Sequence, residues 1–348
     1  MIYLIRDNSI VYATENIPEK LKNSNNQNSI NNKQVWKGTI RLRENLLNSE
    51  YITIIDLSYD KSYNNSCKFQ YDLTPEYIYN VSILKSNIQK TMRRQLIDAC
   101  LATTLQLLKQ DTDELLRRLS VIILEDSLYN HETYTNIIWL LLAHSKGYKL
   151  TEKDVQIIMD ATITALMTNY RYDLNMEPNM EQTLQCITPY VVIQLRALYG
   201  GLKSDKDFLK RLALRSTSPD FPKSEQYTVK LETIEKFNPI CHMIPPSIDF
   251  HCCPYLLQLL EVESPSIADI KKVVWWHWSS PNRRQIADET AKEVKRMEEE
   301  IRKETAKEYG EIKEFLKQFA RKQINRLLYT RKEYVKPITI KDYFIAKS

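Results

Sequence analysis

The spacing of apolar and polar positions changes character along this chain. Up to about residue 85, short apolar runs (Ile2 to Ile5, Ile10 to Ala13, Ile52 to Asp56) alternate with polar joints, and they predict β-strands. The Asn-rich stretch Asn23 to Asn32 has the composition of a loop. From about Ile88 to Arg215 the apolar period becomes helical. Leu96, Cys100, Leu101 and Leu105 form one stripe, Leu115, Leu119, Ile122 and Ile123 a second, and Ile137 to Leu142 an almost wholly apolar third. Gly147 predicts the end of that third helix. Thr151, with Asp154 three residues on, predicts the start of another in an acidic variant of the capping box.

The run Ser216 to Lys223, STSPDFPK, carries two prolines and marks a linker or domain edge. Five segments follow from this pattern: a small mixed, β-containing region at 1–85 with the Asn-rich loop, a helical bundle at 86–216, a compact Cys/His/Trp-containing module at 226–284, a long charged helix at 285–330, and a flexible tail at 331–348. The expected fold class is therefore mainly α: a helical bundle with a small mixed α/β N-terminal region and a long charged C-terminal helix.

Composition narrows the function. A chain of 348 residues can bury a sizeable core without disulfides or a structural metal. Five glycines against 13 prolines and 21 tyrosines argue against a Gly-rich phosphate loop or a Rossmann half. The net charge of +5 names no partner by itself. Six cysteines are mostly scattered and no signal peptide or long apolar run is present, which predicts a reducing, intracellular setting without a membrane span.

Three constellations are candidates for chemistry. Cys241, His242, His251, Cys252 and Cys253 lie close together, but zinc sites usually pair ligands as CxxC or HxxxH. Adjacent ligands seldom both reach one tetrahedral ion, so buried cysteines are the favoured reading and no metal or other cofactor is assigned. Asp56, Asp60 and Asp72 lie near the β-like runs and suggest an alternative, a metal-dependent nuclease, although no accompanying Glu-x-Lys motif or Gly-rich loop supports it. Trp275, Trp276 and Trp278 beside Lys271, Lys272, Arg283 and Arg284 have the aromatic and basic interleaving that suits single strands, but three tryptophans in four residues cannot share one helix face. No GxSxG, HExxH or GxxxxGK[ST] signature occurs, so no catalytic residue is assigned.

The chain end reads KPITIKDYF from Lys336, and Ile340, Tyr343 and Phe344 have the i, i+3, i+4 spacing that puts three apolar groups on one side of a helical turn. It resembles the clamp-interacting peptide (PIP box) that plugs a pocket of a sliding clamp such as PCNA, with Pro337 where that motif usually has glutamine. The alternative is a terminal strand alternating onto a sheet edge.

A second resemblance lies between Lys90 and Asp126. There Lys90, Arg93, Asp98 and Ala99 open one helix, and Arg117-Arg118-Leu119 followed by Glu125-Asp126 mark the next. The segment resembles the helical, collar-like region that follows the ATPase module in the RarA (MgsA, Werner-helicase-interacting) family of clamp-loader-like AAA+ proteins. Arg94, Gln95 and Leu96 stand in place of that family's Gly-Ser-Asp, and no Walker motif precedes the segment. The resemblance implies self-association, or an AAA+ partner subunit, on DNA.

Together these features predict a non-catalytic DNA replication or repair accessory at a nuclear or cytoplasmic replication site, with a structural assembly protein as a further alternative. The clamp anchor is Pro337, Ile340, Tyr343 and Phe344. Phosphate contacts are expected from Lys90, Arg93, Arg117 and Arg118, and from Lys317, Arg321, Lys322, Arg326 and Arg331 where the charged helix turns basic. An ion-pair role between bundle helices is the competing reading of Arg118 and Glu125, which are seven residues apart on nearly one face.

Overall fold

A computed structural model describes residues 1–16, 35–59, 78–168, 187–201, 203–218, 221–234, 244 and 296. The chain divides into two compact units, one of residues 1–72 and 116–229, the other of residues 73–115 and 230–348.

The first unit is built on two β-hairpins. Strands β1 (Ile2–Asp7) and β2 (Ile10–Thr14) pair antiparallel, as do β3 (Trp36–Leu46) and β4 (Ser49–Asp56), and β1 runs parallel to β4 to give the order β2-β1-β4-β3. Each hairpin turns on two residues in the left-handed region, Asn8 and Ser9 in the first (φ 56° and 99°) and Leu47 and Asn48 in the second (φ 47° and 61°). Consecutive positive φ angles give a turn whose twist matches that of the flanking strands. The two central strands are almost wholly apolar and buried: Ile2, Leu4, Ile5, Ile52, Ile54 and Ile55 are all at most 1% exposed.

Five helices contribute to this unit: the part of α3 (Thr112–Asp126) from Leu116 onward, α4 (His131–His144), α5 (Glu152–Met167), α6 (Ile187–Tyr199) and α7 (Lys203–Arg215). Helix α4 packs on β1, β2 and β4 and also on α5 and α6, which explains why every residue from Thr133 to Ala143 is buried. Asn130 caps its start by accepting from the Thr133 amide at 3.0 Å. Past its end Gly147 takes φ 86°, and the Tyr148 amide reaches back to the Ala143 carbonyl at 3.1 Å. Thr151 and Asp154 form the expected capping box at the start of α5. Helix α6 lies on β2 and β3, and α7 folds back onto α6.

The second unit pairs α1 (Val81–Arg93) with α2 (Ile97–Gln110), and the short α8 (Leu231–Ile234) rests on α2. Asn80 caps α1, Asn87 donates to the Thr103 hydroxyl at 2.7 Å across the buried pair, and Lys85 meets Glu114 at 2.6 Å. Among the described residues no helix is long and apolar enough to cross a membrane.

The expected mainly α, collar-like helical bundle is overturned. A four-stranded mixed sheet, with helices packed on it, forms the first unit, so the chain combines a sheet with eight helices among the described residues. The error lies in β3. Its outward positions are Lys37, Thr39, Arg41 and Arg43, and its inward ones include Gly38, so the longest strand lacks the apolar run that marks the other three. The Asn-rich stretch, the long charged helix, the Cys/His and Trp clusters and the 331–348 tail lie outside the described residues.

Candidate nucleic-acid interface

Arg117 and Arg118 sit in the first half of α3, Arg117 exposed and Arg118 half-buried. The structure adds a third arginine to them. Arg196, in the last turn of α6, is 5% exposed, and its guanidinium donates to the Ser120 hydroxyl at 2.7 Å, to the Gly200 carbonyl at 2.7 Å and to the Arg117 carbonyl at 2.8 Å. All three acceptors are neutral oxygens. One side chain thus ties α3, the end of α6 and the Gly200-Gly201 turn together, and both glycines of that turn need positive φ, 122° and 125°. The Arg117 guanidinium lies 5.5 Å from the centre of the Tyr199 ring, which fixes it beside an aromatic face.

The electrostatics of this corner are those of gathered positive charge. Burial lowers the Arg196 pKa from its ordinary value; Tyr134 and Asp205 oppose the shift, and the positive charges of Arg117 and Arg118 add to it. Burial likewise raises the Tyr134 phenol, and Arg196 pulls the other way. Nearby guanidinium groups repel one another, so an anion placed against them relieves the repulsion while taking charge-assisted hydrogen bonds. Phosphate groups of a nucleic-acid backbone have that chemistry.

A second charged cluster is closed. Arg6 on β1 donates at 2.6 Å to Asp56 at the end of β4 and at 2.6 Å to Asp154 on α5, and it also donates to the Tyr148 hydroxyl. Tyr148 in turn donates to Asp154 at 3.2 Å. The guanidinium stacks over Trp139, 3.9 Å from the ring centre, and Trp139 meets Tyr148 and Trp36 edge-on. Burial works against the charge on Arg6, but Asp154, Tyr148 and Asp56 outweigh it and hold the group above its ordinary pKa. Burial comes first in raising Tyr148, followed by the charge of Asp154.

Asp56 is thereby committed: one oxygen meets Arg6, and the other accepts from the Ser58 amide at 3.0 Å and the Ser58 hydroxyl at 2.7 Å. A carboxylate so occupied and buried has no free lone pair facing solvent for a metal or a base, which counts against the nuclease reading. Among the described residues no group of three or more His, Cys, Asp or Glu is placed to hold a metal ion. Asp60 and Asp72 lie outside the described residues.

No protein family, characterised protein or solved structure matches this chain.

The remaining sequence-derived candidates separate by burial. Lys90 and Arg93 occupy the last turn of α1 in the second unit and are 8% and 5% exposed. Their positions offer little surface to a phosphate. Lys317, Arg321, Lys322, Arg326 and Arg331, and the anchor Pro337, Ile340, Tyr343 and Phe344, lie outside the described residues. Arg196 and Arg6 were not foreseen from the sequence. The only local signal for Arg196 was the Gly200-Gly201 pair that follows it, because a double glycine closing a helix exposes carbonyls that a nearby guanidinium can bind.

Proposed function

We propose that this protein is a non-catalytic accessory of DNA replication or repair that grips the DNA backbone through Arg117 and Arg118 and is recruited to a sliding clamp through its C-terminal peptide. The observation that carries the reading is the convergence of Arg117, Arg118 and Arg196 beside Tyr199 at one corner of the first unit. Arg196 holds the corner in shape, while Arg117 and Arg118 present charge outward. Each phosphate neutralised releases condensed counterions, so affinity follows from charge and falls with salt. The clamp arm rests on the spacing of Ile340, Tyr343 and Phe344, and the resemblance of Lys90 to Asp126 to the RarA family supports a setting at replication sites, as a homo-oligomer or beside an AAA+ subunit.

The reading is tested with the full chain and fluorescein-labelled DNA in an anisotropy titration. Arg117→Glu with Arg118→Glu weakens binding at 100 mM salt by at least about tenfold, because two phosphate contacts are lost and two repulsions gained. The fold survives the change, since Arg196 uses the carbonyl of Arg117 and not its side chain. Equal affinity of variant and wild type would sink the reading. For the clamp arm, a peptide of residues 331 to 348 titrated against the cognate clamp binds, and loses binding with Tyr343→Ala plus Phe344→Ala. No binding at high micromolar peptide removes that arm.

A further inference from the structure

We infer that a single-stranded nucleic acid runs from the guanidinium corner along α7 onto the open face of β3 and β4, where its bases stack on Tyr51. The inference rests on the proposed function and extends it by naming the form of the ligand and its path. The sheet face is defined by contact: the Thr39 and Thr53 hydroxyls stand 3.5 Å apart across the β3–β4 ladder, so the residues two positions along each strand, Arg41 and Tyr51, share that face. Arg41 and Tyr51 are direct cross-strand partners, Tyr51 is 40% exposed, and Lys37, Arg41 and Arg43 are exposed in alternation along β3. An exposed ring between cations is what a strand with unpaired bases needs: the ring takes a base and the cations take the flanking phosphates. Duplex DNA, with its bases already stacked, has no use for Tyr51.

The same face connects to the guanidinium corner. Helix α7 begins just past the Gly200 carbonyl that Arg196 holds, and Lys210, farther along it, meets Glu44 at the end of β3 at 3.0 Å. That ion pair occupies the exposed Glu44 carboxylate where α7 reaches the strand. From Lys203 to Lys210 the helix advances about 10 Å, and from Arg43 back to Lys37 the strand covers about 20 Å. A track of this length suits the roughly 4–16 nucleotides that a single-strand-binding module covers.

The experiment uses the full chain with labelled oligothymidylates of increasing length and a duplex of matched length. Wild type binds a 20-mer at least about tenfold more tightly than a 5-mer, and the single strand more tightly than the duplex. Arg41→Gln with Arg43→Gln lowers the salt slope for the 20-mer by about two while leaving the 5-mer unchanged. Tyr51→Ala weakens the 20-mer several-fold with no change in salt slope. These residues are exposed, and an unchanged circular dichroism melt confirms that the variants fold. DNA binding by wild type that is indifferent to all three substitutions, or that favours the duplex, overturns the path while leaving the guanidinium corner intact. Absence of DNA binding at any length overturns the proposed function as well.

Discussion

Arg6→Ala is expected to cost the fold about 3–5 kcal/mol, because it leaves two buried carboxylates without their shared cation. The side chains of Asp56 and Asp154 are 2% and 1% exposed, so water does not replace the lost guanidinium. The damage spreads because each partner has a second duty. Asp154 completes the capping box of α5, and Arg6 also stacks on Trp139 and bonds Tyr148. Arg6→Lys keeps the charge but loses the planar fork that serves two carboxylates at once, so it falls between wild type and alanine. Urea unfolding followed by far-ultraviolet circular dichroism measures the series. An Arg6→Ala protein within about 1 kcal/mol of wild type contradicts the assignment of this cluster as the clasp of the first unit.

Trp139→Ala is the second large effect, again about 3–5 kcal/mol, since a fully buried indole is removed from between sheet and helices. Trp139 is 0% exposed, donates from Nε1 to the Ile55 carbonyl at 3.2 Å, and meets the rings of Trp36 and Tyr148 at 5.9 and 5.0 Å. Trp139→Phe separates the terms. It keeps most of the apolar volume but leaves the Ile55 carbonyl without that donor, at a cost of about 1–3 kcal/mol. Comparable losses for alanine and phenylalanine would show that the hydrogen bond, and not the packing, dominates.

The sequence revealed those features whose causes are local. The apolar runs of β1, β2 and β4, the helical stripes, the stop at Gly147 and the Thr151–Asp154 box are each written within a few residues, and each was read correctly. Strand β3 escaped because an edge strand with an exposed basic row carries its alternation in Lys37, Arg41 and Arg43, which look like polar joint. That one omission turned a sheet with packed helices into an expected bundle.

The sites failed for a different reason. Asp56 looked like a free carboxylate because its cation lies 50 residues away on β1, and Arg196 drew no notice because its hydroxyl partner Ser120 lies 76 residues away. Pairings at such separations come from topology and leave no local pattern. Lys90 and Arg93 were taken for surface cations on the strength of a motif, and the helix turns them inward. Arg117 and Arg118 came from the same motif and stand at the corner that Arg196 organises.

The central claim is that this chain binds DNA through clustered positive charge, and the most direct test is the salt dependence of wild-type binding. The full chain, titrated into a labelled 20-nucleotide single strand, should give saturable binding at 50 mM salt. The log of its affinity should fall linearly with log salt, at a slope of about −2 to −4 for three to six phosphates at roughly −0.7 each. No saturable binding at 50 mM salt, or an affinity that does not change between 50 and 200 mM, contradicts the account.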